Sequence, residues 1–210
     1  KPRGIAEAFL IAESFIDQQP VWFILGDNIF YGQNLSKILH DVPRINKGAT
    51  IFGYPVNNPR DFGIVELASD NTIESITEKP QNPKSNLAIP GLYYYDEKVT
   101  THAKSIQPSA RGELEITSIN QMYLDNNHLS LKLLGRGMAW LDTGNPHALL
   151  QASNFVETIQ SRQGFYIACI EEIAYRRGFI NQSQLRKLGQ SLKITNYGRY
   201  LLRIASEDKL

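Results

Sequence analysis

A single cysteine, Cys169, stands in 210 residues, so no disulfide can close within the chain and no cysteine-based zinc site can be built. That scarcity suits a reducing, cytoplasmic setting. No apolar run approaches the roughly 20 residues of a membrane span, and the opening residues do not read as a secretory leader. A membrane partner is not expected. The chain also lacks an excess of either charge: 22 basic residues face 21 acidic ones, a formal net charge of +1. That balance gives no broad basic face, so nucleic acid is not expected as a partner, and any anionic ligand must be held by local charges. The four histidines (His40, His102, His128 and His147) share no metal-ligand spacing. G-x-S-x-G, H-E-x-x-H and a Walker-type Gly-Lys-Ser/Thr loop are all absent. Gly135-Arg136-Gly137 lacks the third glycine and the following helix of a dinucleotide fingerprint.

What is present reads as α/β. Apolar residues make up 42% and charged residues 20%, ordinary for a chain with a sizeable core. "GIAEAFLIAESFI" places Ile5, Phe9, Ala12 and Ile16 on one helical face. "VWFIL" (21–25) then reads as a buried, parallel-type strand that stops at Gly26-Asp27-Asn28. A helix feeding such a strand is the second half of a βαβ unit, so residues upstream of Lys1 are expected. A short helix is expected around 35–42, and strands at 49–56, 62–67 and from Thr72 to Pro80. "LAIPGLYYYD" is an aromatic strand interrupted by Pro90-Gly91. "GELEITSINQMYLDN" reads as a helix with Glu113 and Glu115 in its first turn, facing the helix dipole. Strands follow at "LSLKLL" and "MAWLDTG". Asn145 and Pro146 then open a helix as N-cap and first position. From Gly164 onward only short helical pieces remain. The expected division is an α/β core over 1–145 and a helical subdomain over 146–210.

Four constellations carry chemistry. Asp27 ends a strand and can hold Mg²⁺ through oxygen, or simply cap a turn. "AWLDTG" repeats the pattern at Asp142; if the two corners converge, two carboxylates clamp one divalent ion. Trp140 lies on the same strand face as Asp142 and is either a platform for a ring or core packing. Glu78-Lys79-Pro80 pairs an acceptor for sugar hydroxyls with a compact cation for phosphate. Both reach one ligand only if the strand breaks there; otherwise they are a solvated surface pair. Arg111, in "PSARGELEITSIN", can fork onto a phosphate or pair with neighbouring acids.

"LGDNIFYG", "FGIVE", "EKPQNPKSN", "GLYYYD", "SARGELEITSIN" and "GRGMAWLDTG" occur in this order, and as a set they resemble the bacterial glucose-1-phosphate thymidylyltransferases. The resemblance runs the whole chain. It implies a Rossmann-like mixed sheet with a C-terminal helical appendage, Mg²⁺ as cofactor, and dTTP and glucose 1-phosphate as substrates. It further implies dTDP-glucose as product, for dTDP-rhamnose and O-antigen precursor synthesis, and a cytoplasmic homotetramer. By resemblance, Asp27 and Asp142 are the metal ligands. Gly63, Glu78, Lys79, the backbone at Ile89, Arg111 and Trp140 contact the sugar phosphate, and Gly4 lies against the base. Tyr31, Gly32, Arg136, Glu172, Ile173 and Arg176 match a regulatory nucleotide site at a subunit interface.

The chain departs from the family pattern at the G-x-G-T-R loop, which is not among these residues, and at Phe62, Pro90 and Ser118. Without that triphosphate-binding loop, the 210 residues alone are expected to be inactive or nearly so. A non-catalytic regulatory module and a uridylyltransferase of the same fold are the alternatives.

Overall fold

The computed structural model describes residues 2–45 and 47–207. Its strands are β1 (Val21–Ile24), β2 (Asn28–Tyr31), β3 (Ala49–Pro55), β4 (Gly63–Leu67), β5 (Ile73–Glu78), β6 (Leu87–Ala88), β7 (Leu92–Tyr95), β8 (Leu129–Leu133) and β9 (Ala139–Asp142). Its helices are α1 (Glu7–Ile11), α2 (Glu13–Ile16), α3 (Leu35–Ile45), α4 (Val99–Ser105), α5 (Ile116–Asp125), α6 (Pro146–Gln163), α7 (Ile170–Arg176), α8 (Gln182–Ser191) and α9 (Asn196–Ile204). The chain forms two compact units, Lys1–Gly144 and Asn145–Leu210.

The first unit is built on a sheet of order β1-β7-β3-β6-β4-β5, with β8 added parallel to β3. The remaining pairings in that sheet are antiparallel among the described residues. Strand alternation sorts the side chains onto two faces. Ile51, Tyr93 and Tyr95 join Phe9, Val65, Ile119 and Tyr123 on one side. Phe52, Leu92 and Tyr94 join Val42, Leu134 and Met138 on the other. A separate two-stranded ribbon pairs β2 with β9. No helix among the described residues is long and apolar enough to cross a membrane.

Several expectations change. β1 is not a parallel strand: it pairs antiparallel with β7, Val21 opposite Tyr95, and Ile24 is 55% exposed. A short apolar run reads alike in either orientation, because partner direction is a long-range property. The first helix breaks at Ala12 into α1 and α2, and Ile5 lies outside it, 41% exposed. β2 was read as part of a corner, and α4 was not anticipated. "VTTHAKS" has a strand-like start, yet Val99 and Ala103, one turn apart, both bury in the core. α5 starts at Ile116, so Glu113 and Glu115 do not occupy its first turn.

The second unit follows its local signals. The Asn145 side chain accepts from Ala148 N at 3.0 Å and caps α6, which ends on Gly164 at φ +70°. Asn181 and Gln184 form a reciprocal capping box on α8. Thr195 caps α9. Leu185, Leu201, Tyr175, Tyr200 and Ile204 make the core. At Gly198 a side chain would run into the Leu192 backbone carbonyl, so the crossing needs a glycine.

Candidate active site

The β2–β9 ribbon brings two distant corners together. Its register sets Asn28 opposite Asp142, which places Asp27 and Asp142 at the same end. Thr143 clamps the corner: its backbone N and its Oγ1 both donate to the Asp27 carbonyl, each at 2.8 Å. A methyl group built on Gly144 would lie 3.1 Å from Asp142 Oδ1 and 3.6 Å from Asp27 Oδ2. Both carboxylates therefore border one small space that exists because residue 144 has no side chain. Asp142 Oδ1 accepts from Gly144 N at 3.0 Å, and Asp27 Oδ1 accepts from Asn28 Nδ2 at 2.8 Å. Among the described residues no Lys or Arg pairs with either aspartate. Two hard oxygen donors facing an open space, with no cation of the protein's own, fit Mg²⁺. Among the described residues no group of three or more His, Cys, Asp or Glu could by itself hold a metal ion. Further ligands would therefore come from phosphate and water, which is how Mg²⁺ is commonly held.

A second corner lies where β5 ends. Glu78 is opposite Gly63 in the ladder, and a side chain on Gly63 would approach Glu78 Oε2 to 3.3 Å and Thr117 Oγ1 to 3.5 Å. Thr117 donates from its hydroxyl to Glu78 Oε2. The Arg111 guanidinium lies 3.8 Å from Glu78 Oε1 and 3.6 Å from Glu115 Oε1, and it donates to Glu113 Oε2 at 3.2 Å. Glu115 also accepts from Ser109 Oγ at 2.8 Å. The acids before α5 thus hold Arg111 rather than the helix dipole. The strand does break after Glu78: Lys79 has φ +42°, and its N–H donates to the Phe62 carbonyl at 3.1 Å. A left-handed backbone is costly for lysine and easy for glycine, so this position carries strain that a glycine would relieve. The Ile89 N–H is committed to the Gly63 carbonyl at 2.8 Å. Burial, helped by the Glu78 carboxylate, pushes the hydroxyl of buried Tyr93 above the usual tyrosine range.

Trp140 joins the corners. Its Nε1 donates to Asn28 Oδ1 at 2.6 Å, and its ring meets Phe62 edge-on at 5.0 Å and Tyr54 at 5.6 Å. Asn28 Oδ1 also accepts from Gly91 N at 3.0 Å. One amide thereby ties Asp27, Trp140 and the β6–β7 turn together. Asn28, Thr117 and Gly144 belong to these corners although no sequence motif marks them as site residues. The amide in Gly-Asp-Asn and the glycine two residues after Asp142 were the available signals.

Gly4 packs against Leu114, whose chain neighbours Glu113 and Glu115 hold Arg111. It has φ +119°, and the Leu114 backbone occupies the space where its Cβ would be, which is reason enough for glycine. Within the first unit, Tyr31 pairs with Ala139, Gly32 packs on Met138 and Gly137, and Arg136 is exposed between two glycines. Within the second, Glu172 accepts from Arg176 Nε at 2.7 Å and from the Tyr200 hydroxyl, and Ile173 is 49% exposed.

A family model described as nucleotidyl transferase matches residues 1–159. The chain belongs to the nucleotidyl transferase family. Within that family it is 48% identical over 203 residues to a glucose-1-phosphate thymidylyltransferase of Neisseria meningitidis, covering 97% of this chain and 70% of the relative. It is 47% identical over 208 residues to the protein of that name in Mycolicibacterium smegmatis, covering 99% and 72%. A Bacillus anthracis crystal structure described under the same enzyme name, with sucrose bound, matches with a TM-score of 0.65 and 36% identity. That match covers 74% of this chain and 61% of the other. A UDP-glucose pyrophosphorylase holding UDP-glucose shares the fold at 18% identity, with a TM-score of 0.68. The fold is thus the mixed α/β fold of nucleotidyl transferases.

Proposed function

We propose that the protein transfers dTMP from dTTP to glucose 1-phosphate, giving dTDP-glucose and pyrophosphate. The observation that carries this is the pair of joined corners: two uncompensated carboxylates across Gly144, and the Glu78 corner linked to them through Phe62 and Trp140. The names of the closely similar relatives supply the substrates.

The chemistry asks for positioning and charge neutralisation rather than covalent help. An oxygen of the sugar phosphate attacks the α-phosphorus of dTTP in line. A new P–O bond forms, the bond to the β-phosphate bridging oxygen breaks, and pyrophosphate leaves with that electron pair. Asp27 and Asp142 would hold Mg²⁺, which supplies Lewis-acid neutralisation of the phosphates when bound. Lys79 and Arg111 bring cations to the sugar phosphate, and Arg111 must exchange part of its carboxylate company to do so. Glu78, fixed by Thr117, accepts from sugar hydroxyls. Trp140 offers an apolar wall. The expected setting is cytoplasmic synthesis of dTDP-rhamnose precursors for cell-surface polysaccharide by a homotetramer. Gly4 would lie by the base. Tyr31, Gly32, Arg136, Glu172, Ile173 and Arg176 would serve a regulatory nucleotide.

The test is Mg²⁺-dependent pyrophosphate release from dTTP on addition of glucose 1-phosphate, in the encoded protein, with UTP in parallel. Release with dTTP well above UTP is expected. Release with UTP alone, or with neither, contradicts the proposal. Glucose 1-phosphate binding to the 210-residue chain is measured separately, because the G-x-G-T-R stretch is not among its residues.

A further inference from the structure

Asn120 is fully buried in the first unit, and its Nδ2 has no hydrogen-bond partner among the described residues. Its Oδ1 accepts from the hydroxyl of Tyr95, itself fully buried, at 2.6 Å. An apolar pair of similar shape would fill this place without an orphaned donor and at no loss of stability. The polar pair therefore needs a reason other than stability, and the direction of its hydrogen bond supplies one.

Two routes run from Asn120 to Glu78. On α5, Thr117 lies three residues before Asn120, about one turn away on the same side of the helix. Thr117 is the residue that donates to Glu78. On β7, Tyr95 and Tyr93 share a face, their rings stacked at 6.0 Å and 14°. Tyr93 is close enough to the Glu78 carboxylate to feel its charge. A sliding or turning helix would carry Thr117 off Glu78, and a released Tyr95 ring would loosen Tyr93. Thr117 and Asn120 both lie on the buried face of α5, so a shift of the helix moves the two together.

We infer that the buried Tyr95–Asn120 hydrogen bond is a registry peg, and that both residues are positioning residues for Glu78 in sugar recognition. The inference rests on the proposed function, since it takes Glu78 to face the sugar. It assigns no contact with substrate to either residue.

The test is the double substitution Tyr95→Phe with Asn120→Leu, with Tyr95→Phe alone as the milder variant. Calorimetry reads the binding of glucose 1-phosphate and of inorganic phosphate to each protein, and thermal melting reads stability. The double variant is expected to melt at or above the wild-type temperature. It should bind glucose 1-phosphate about tenfold more weakly while binding inorganic phosphate unchanged, since a small misplacement of a positioning group costs a factor of this order or more. Tyr95→Phe should move the sugar affinity in the same direction. Unchanged glucose 1-phosphate binding in both variants overturns the inference, as does a parallel fall in melting temperature and in both affinities. A wild-type protein that binds phosphate but not its glucose ester overturns the sugar-site reading itself, and the two failures are thereby told apart.

Discussion

The two corners of the site use the same carboxylate chemistry and are finished in opposite ways. At Asp27 and Asp142 the oxygens border a space that Gly144 keeps open, and no Lys or Arg among the described residues stands against them. At Glu78 the carboxylate already accepts from Thr117 and lies 3.8 Å from Arg111, which also serves Glu113 and Glu115. Uncompensated carboxylates brought close repel one another and gain by taking up a cation. A carboxylate whose partners are already arranged presents a fixed acceptor, which recognises a neutral hydroxyl with little reorganisation. One corner leaves its negative charge open, and the other has its carboxylate already partnered.

The largest expected effect comes from Asp142→Asn, which keeps the shape of the first corner and halves its charge. Turnover should fall by about 10²–10³-fold, the cost of losing one electrostatic stabiliser, while glucose 1-phosphate binding measured without metal stays within about twofold. Loss of both together would break the division between the corners. Lys79→Gly acts on the second corner and separates function from stability. Relief of the left-handed backbone should raise stability by up to about 1 kcal/mol in denaturant titrations, while glucose 1-phosphate binding weakens about tenfold. Gly144→Ala puts a methyl group beside both carboxylates, and Mn²⁺ affinity should drop roughly tenfold in a direct titration.

The smallest effect concerns the scaffold. Burial holds the His102 imidazole below its ordinary value of 6.5, with Asp96 opposing. Between the folded value and 6.5 the unfolded chain binds more protons, so stability rises with pH through that window and is lost as pH falls. His102→Phe should flatten that part of the stability profile and leave both corners working.

How much could be read beforehand follows from the range of the signals. The second unit was legible because its instructions are local: Asn145 before Pro146 opens α6, and Gly164 at φ +70° closes it. The strands expected at 49–56, 62–67 and from Thr72 to Pro80 form at 49–55, 63–67 and 73–78, the last of them legible from its alternation. The direction of β1 was not, because nothing within "VWFIL" states that Tyr95 is opposite Val21. The break after Glu78 was anticipated as a condition, and φ +42° at Lys79 meets it. Glu113 and Glu115 were misread as dipole partners, since acids ahead of a helix look alike whether they face its N-terminus or a nearby Arg111. Thr117 could not be seen as a site residue from sequence. Its hydroxyl meets Glu78 only after α5 packs beside β5, 39 positions apart in the chain.

The most direct measurement is Mn²⁺ titration followed by electron paramagnetic resonance, on the wild-type protein and on Asp27→Asn and Asp142→Asn separately. One ion per chain is predicted for the wild type, weakened about 10- to 100-fold by either substitution alone. Tight binding that survives either change, or two independent ions each lost to a different variant, would contradict a single divalent site spanning residues 27 and 142.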